Sequence, residues 1–313
     1  MLLKLLKTIL TRINIMKSDS NTIQKASGNF NSSIIQVQGT YNAMTEQQMT
    51  DLCLRLIDEK LQPLREDARN TLRLLISEFS CELFERIGKL EGSMELLNSF
   101  AKPSVELALG ESLMGYSQRP SDRHKRLLIE TMIERLKVDD VSTKAILLDR
   151  IRLGIPQLTI NQIDMIAIMV FTDLIVSCDT IEELKDYLRQ LNPIVENASA
   201  LTSVDFLYLQ HTEFFHRISF AGRMDIIGDK LSRTYKTFFG IDGIEDLKNM
   251  LSEVNPLWQT LFNLIINNEM GSYSPTATGR YLGLIRLSEV LDEELSYEDF
   301  MANVIIKNHF NIL

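Results

Sequence analysis

From Ile57 onward the apolar positions of this chain fall at steps of three and four: Leu61, Leu64, Ala68, Leu72, Leu75, Phe79, Leu83, Ile87, Leu90, Met94 and Leu97. That spacing puts all of them on one stripe of an α-helix. Glu66, Arg69, Glu82, Glu85 and Lys89 fill the opposite face. Thr45-x-x-Gln48 supplies a capping box at the start. Pro63 kinks or breaks the first turns. Beyond it the pattern predicts a helix continuing to about Asn98, on the order of 50 Å long. Such a stripe either packs on the body of its own chain or serves as a coiled-coil-like association helix.

The next stretch, residues 101–120, carries Pro103, Gly110, Gly115 and Pro120 and reads as a linker with one short helix. Capped helical patterns then follow one another. Thr159-x-x-Gln162 opens one, Thr180-x-x-Glu183 a second and Asp242-x-x-Glu245 a third. Asn255-Pro256 and Ser274-Pro275 each place a cap residue before a proline at a first helical position. Ser296 precedes a last helix, Tyr297 to about Asn308. No sustained alternation separates these segments, so the fold class is mainly α, with residues 121–313 an all-α globular domain.

Upstream of the long helix the pattern changes. Residues 17–43 are rich in Ser, Asn, Gln, Thr and Gly and poor in helix formers. Asn-x-Ile-Gln (Asn21, Ile23) precedes Gly28, and Asn31 through Ile34, Ile35 and Gln36 precedes Gly39, with Asn42 closing a second Gly-x-x-Asn unit. Gly and Asn tolerate turns while the isoleucines supply an apolar face. The alternatives are a polar tail and a short β-like segment of two rungs. Two rungs bury too little alone, so an ordered segment calls for copies of itself. Residues 1–16, with Lys4, Lys7 and Arg12 among leucines, read as a basic amphipathic leader or as sequence ahead of a true start at Met16.

Composition narrows the function classes. The 313 residues carry a net charge of −9, which offers no broad basic field for nucleic-acid phosphates. Cys53, Cys81 and Cys178 are widely spaced without a Cys-x-x-Cys, the usage of reduced structural thiols in a cytoplasmic protein. The longest apolar stretch, residues 163–176, is interrupted by Asp164 and Asp173 and is too short for a bilayer. No phosphate-cradling loop, dinucleotide fingerprint or nucleophile elbow occurs. His211 and His216 stand five apart, whereas a zinc-protease helix needs them four apart with a glutamate beside the first. The expectation is therefore no catalytic residues, no metal and no cofactor.

Two features remain as candidate contacts. Arg119, Arg123, Lys125 and Arg126 form the densest basic patch, suited to an anion or partner or else to intramolecular ion pairs. Downstream, Tyr273, Thr276, Gly279 and Leu282 faintly follow the wing strand of winged-helix proteins, with Arg280 as its basic residue, but Ser274-Pro275 replaces the expected leucine.

The Gly-x-x-Asn units of residues 21–42 and the Pro-Thr-x-x-Gly-Arg turn of residues 271–283, joined by a helical body, resemble an uncharacterised family of bacterial proteins. Related leaders occur on proteins of mobile-element conflict and anti-phage loci. The resemblance implies a cytoplasmic accessory or assembly role and brings no catalytic residues with it. The leading expectation is a non-enzymatic homo-oligomer, with a protein partner encoded nearby. It associates through residues 44–100 and the rung segment, at Ile23, Gly28, Asn31, Ile34, Ile35, Gly39, Asn42, Leu72, Leu75, Phe79, Leu83, Ile87 and Leu90. The alternative is a winged-helix-like DNA-binding regulator.

Overall fold

A computed structural model describes residues 24–27, 33–36, 45–61, 66–177, 180–218, 231–233, 236, 243–298 and 305–307. The chain divides into two compact units, Met1–Ala43 and Met44–Leu313.

In the first unit, β1 (Gln24–Ser27) pairs antiparallel with β2 (Ser33–Gln36), Gln24 opposite Gln36 and Ser27 opposite Ser33. The β character expected around Ile34 and Ile35 is present as a pairing within one chain. The first strand begins at Gln24, the last residue of the expected Asn-x-Ile-Gln unit, whose other residues lie outside the described residues. Ile23, Gly28, Asn31, Gly39 and Asn42 lie outside the described residues.

The second unit is mainly α. Helix α1 (Glu46–Leu61) begins at the expected capping box. Thr45 N–H donates to Gln48 Oε1 at 2.8 Å and Gln48 N–H to Thr45 Oγ1 at 3.2 Å. Helix α2 (Glu66–Gly88) follows Pro63, which lies outside the described residues. The single helix expected to reach Asn98 is instead split. Gly92 adopts a left-handed conformation (φ 70°) and starts a separate helix α3 (Ser93–Ser99). Because a left-handed residue turns the chain out of helical register, the apolar spacing alone did not register the break.

Residues 101–120 do not form a linker. They build α4 (Pro103–Gln118), with Val105, Ala108, Leu109, Ser112, Leu113, Gly115 and Tyr116 buried. Pro103 sits at the start of the helix, where its missing N–H is harmless. Gly115 is a close-approach residue rather than a breaker, since a Cβ there would lie 2.4 Å from Pro156 Cγ.

Helices α5 (Asp122–Leu136) and α6 (Thr143–Gly154) follow, then a 3₁₀ turn at Ile155–Gln157. The centre of the unit is α7 (Ile160–Phe171), whose residues from Gln162 to Phe171 are all buried. Apart from Gln162 and Asp164 its buried residues are apolar, as suits a helix enclosed by others. After it come α8 (Ile181–Gln190), α9 (Asn192–Ser199), α10 (Ser203–Gln210), α11 (Ile244–Val254), α12 (Leu257–Asn267) and α13 (Ala277–Leu291), of which α9 and α13 pack directly on α7. The capping boxes at Thr159 and Thr180 form as expected, and Thr202 with Asp205 makes another. Asn255 accepts from Leu257 N–H at 3.0 Å ahead of α12. Asp242 lies outside the described residues.

Short strands tie the ends together. β3 (Ile175–Ser177) pairs in parallel with β6 (Ile305–Lys307), and β4 (Phe215–Arg217) pairs antiparallel with β5 (Tyr273–Pro275). Two expectations change here. The last helix does not run to Asn308, because Ile305–Lys307 extend along β3. Ser274-Pro275 belongs to β5 instead of capping a helix, and Thr276 caps α13 in its place. Cys53 is buried and Cys81 half-buried, both as free thiols.

Candidate functional site

Asp164, on α7, is fully enclosed and is the hub of a buried ion cluster. Arg286 of α13 donates through Nε to its Oδ1 at 2.6 Å, and Asn197 of α9 donates through Nδ2 to its Oδ2 at 2.6 Å. Arg123 of α5 stands 3.8 Å from Oδ2. Arg286 also donates through Nη1 to Glu289 at 2.7 Å, and Glu289 holds Arg126 Nε at 3.2 Å. Burial pushes the Asp164 carboxyl upward, and Arg286, Asn197 and Arg123 pull against it. Chemically this is a satisfied carboxylate that locks three helices onto α7.

The basic residues singled out from the sequence are therefore not one free patch. Arg123 and Arg126 turn toward Asp164 and Glu289, while Lys125 turns the other way, to Glu82 on α2 at 3.1 Å and Asp122 at 3.5 Å. Arg280 is half-buried in the first turn of α13. Arg119, at the end of α4, is the exposed member of the five. Their spacing on α5 divides them between two sides of one helix, which a count of charges does not reveal.

The Pro-Thr-x-x-Gly-Arg turn has a structural role that sequence reasoning missed. Thr276 N–H donates to the Phe214 carbonyl at 2.9 Å and Thr276 Oγ1 donates to the Glu213 carbonyl at 2.7 Å. The same hydroxyl accepts from Gly279 N–H at 3.2 Å. Gly279 is required because a Cβ there would lie 2.2 Å from the Phe214 carbonyl oxygen. The strand beside β5 is β4, far upstream, rather than an adjacent strand forming a wing. His211 and His216 flank this region and are both exposed.

The association stripe also divides in two. Phe79, Leu83 and Ile87 are fully buried, and α2 packs on α1, α4 and α5 of the same chain. Phe79 lies 5.8 Å, centroid to centroid, from Tyr116 of α4. These three residues belong to the chain's own core and face no second copy. Leu90 is half-buried in the turn between α2 and α3. By contrast, no residue from Glu66 to Leu75 is buried. Leu72 and Leu75 are half-buried there, and Leu74 is 67% exposed.

Among the described residues, no group of three or more His, Cys, Asp or Glu side chains is placed to hold a metal ion. No helix among them is long and apolar enough to cross a membrane.

Neither the curated proteins nor the solved structures contain a match to the chain. A family model does match, over residues 43–247, starting at the last residue of the first compact unit. The segments that carry the resemblance to bacterial conflict proteins, residues 21–42 and 271–283, fall outside that range. Since the match spans well over half of the sequence, the chain belongs to this family, an uncharacterised one.

Proposed function

We propose that the chain is a non-enzymatic, self-associating accessory protein that presents its helical body to a protein partner. The first ten residues of α2 carry this reading. Glu66–Leu75 bring three leucines, Leu72, Leu74 and Leu75, to a helical segment in which nothing is buried. A helix with that much unburied apolar surface gains from a second copy. The β pairing at Gln24–Gln36 precedes it along the chain and adds a second element of a kind that associates readily through its edges. The Gly-x-x-Asn leader extends the proposal to the cytoplasm of a bacterium and to a defence locus. The ion pairs of Arg123, Lys125 and Arg126 weigh against the DNA-binding alternative.

Light scattering on the full chain tests the reading. The wild type is expected at a multiple of the 35.9 kDa chain mass, and a Leu72→Gln, Leu74→Asp, Leu75→Gln variant at 35.9 kDa. A monomeric wild type, or a variant whose mass does not fall, overturns it.

A further inference from the structure

Arg135, in the last turn of α5, and Arg152, in the last turn of α6, are only 2% and 4% exposed. Arg135 Nη2 donates to Asp140 Oδ1 at 2.7 Å, and Arg152 Nη1 lies 2.7 Å from Glu111 Oε2 of α4. Between the two, Asp149 Oδ1 accepts from Arg135 Nε at 3.3 Å and from Arg152 Nη2 at 3.4 Å. One carboxylate oxygen thus serves two guanidinium groups. Both distances exceed the about 2.7–2.9 Å of a good charge-assisted hydrogen bond. Two further nitrogens, Arg135 Nη1 and Arg152 Nε, are buried and have no hydrogen-bond partner among the described residues.

Buried N–H groups of charged side chains are ordinarily matched by acceptors. Two unmatched donors on neighbouring arginines call for an acceptor that the surrounding carboxylates do not supply. Asp140, Asp149 and Glu111 are each more than a third exposed, while the arginines behind them are enclosed. The Asp140 carboxyl is held below the ordinary aspartate value, first by Arg135 and further by Ser104 and Lys102, which places the start of α4 beside it. With Asp149 turned to solvent, Arg135, Arg152 and Lys102 would face only Asp140 and Glu111. That leaves one positive charge in excess, in a chain of net charge −9.

We propose that Arg135 and Arg152 bind a phosphate group, inorganic or carried as a phosphomonoester, and that Asp149 is the side chain it displaces. A carboxylate offers two acceptors in one plane, and Asp149 presents the same oxygen to both arginines. A phosphate offers its oxygens in three dimensions, so guanidinium forks arriving from two helices can each be met. One oxygen takes the place of Asp149 Oδ1, and the others are available to Arg135 Nη1 and Arg152 Nε. The site is built from α4, α5 and α6 without the exposed half of α2, so it goes beyond the accessory role and stands independently of self-association.

Isothermal titration of the full chain with inorganic phosphate at constant ionic strength tests this, with glycerol 3-phosphate titrated in parallel. Saturable binding of one phosphate per chain is expected. Tighter binding of glycerol 3-phosphate assigns the site to an esterified phosphate, and tighter or equal binding of inorganic phosphate to the free ion. Asp149→Asn removes the competing charge and keeps both arginines, so it should bind at least tenfold more tightly, a gain that misfolding cannot produce. Arg152→Lys keeps the charge but loses the fork and should bind at least tenfold more weakly. Thermal melting checks that this variant is folded, and Asp149→Asn carries the test if it is not. The Leu72, Leu74, Leu75 variant should bind phosphate as the wild type does. No saturable binding by either the wild type or Asp149→Asn, weaker binding by Asp149→Asn, or unchanged binding by a folded Arg152→Lys each overturns the inference.

Discussion

Arg286 and Asp164, 122 positions apart, meet inside the protein through a 2.6 Å hydrogen bond from Nε to Oδ1. Neither side chain is more than 5% exposed. Such a pair contributes little net stability against an apolar replacement, but removing one partner strands the other in a low-dielectric interior. Asp164→Asn is therefore expected to lower unfolding stability by about 3 kcal/mol, because Glu289 still neutralises part of Arg286. Arg286→Met leaves Asp164 with Asn197 and the distant Arg123 and should cost at least as much. Joining Asp164→Leu to Arg286→Met should recover most of the loss. Urea unfolding of these variants together with the Asp164→Leu single variant checks this, and a loss in the double variant equal to the sum of those of Asp164→Leu and Arg286→Met would refute the coupling.

Gly279 fixes how α13 enters the core. Its absent side chain leaves room for the Phe214 carbonyl, which in turn accepts from Thr276 N–H. Gly279→Ala forces that backbone apart and is expected to lower stability by about 1–3 kcal/mol. Gly88, the last residue of α2, has nothing within 4 Å of where its Cβ would be. Gly88→Ala should raise stability by up to about 1 kcal/mol. Opposite signs in thermal melting are the expected outcome. Equal effects would mean that the contact with Phe214 yields without strain.

Local chemistry made much of this legible in the sequence. The capping pairs at Thr45, Thr159 and Thr180 read correctly because a hydroxyl and an amide or carboxylate three residues apart satisfy each other wherever they fall. What stayed hidden is what tertiary contacts decide. Gly110 and Gly115 look like linker glycines, yet Gly115 exists to let Pro156 approach. Asp164 reads as an interruption of an apolar run, and its hydrogen-bond partners come from distant elements, Asn197 of α9 and Arg286 of α13. The apolar stripe of α2 is periodic throughout, so periodicity could not say that its first half is unburied and its second half is core.

That division of α2 separates two kinds of variant. Phe79 is fully enclosed and touches Tyr116, so Phe79→Ala opens a cavity and is expected to lower stability by about 3–5 kcal/mol. Leu74→Asp places a charge where the side chain already meets water and should leave the melting temperature of the monomer unchanged. Its effect should appear in the concentration dependence of the sedimentation coefficient. A large loss of monomer stability from Leu74→Asp would show that the segment packs on its own chain.

His124 adds a pH dependence whose sign can be worked out. The ring is buried in the first turn of α5, with Nδ1 2.7 Å from Ser121 Oγ and Nε2 2.9 Å from the Leu158 carbonyl. A carbonyl only accepts, so Nε2 carries the proton and Nδ1 accepts from the serine hydroxyl, the neutral tautomer. Burial holds its pKa below the ordinary histidine value, and the charge of Arg119 acts in the same direction. The unfolded chain, with a histidine near the usual value of about 6.5, then binds more protons than the folded one as pH falls below that value. The stabilising contribution of His124 is present above about pH 6.5 and is lost on acidification toward its folded pKa. His124→Gln keeps an N–H for the Leu158 carbonyl but cannot titrate. The stability difference between wild type and His124→Gln should shrink as the pH is lowered from about 7 to about 5. Urea midpoints measured at several pH values test this. A difference that widens toward low pH would mean that the folded protein welcomes the imidazolium, contrary to its enclosed setting between Ser121 and Leu158.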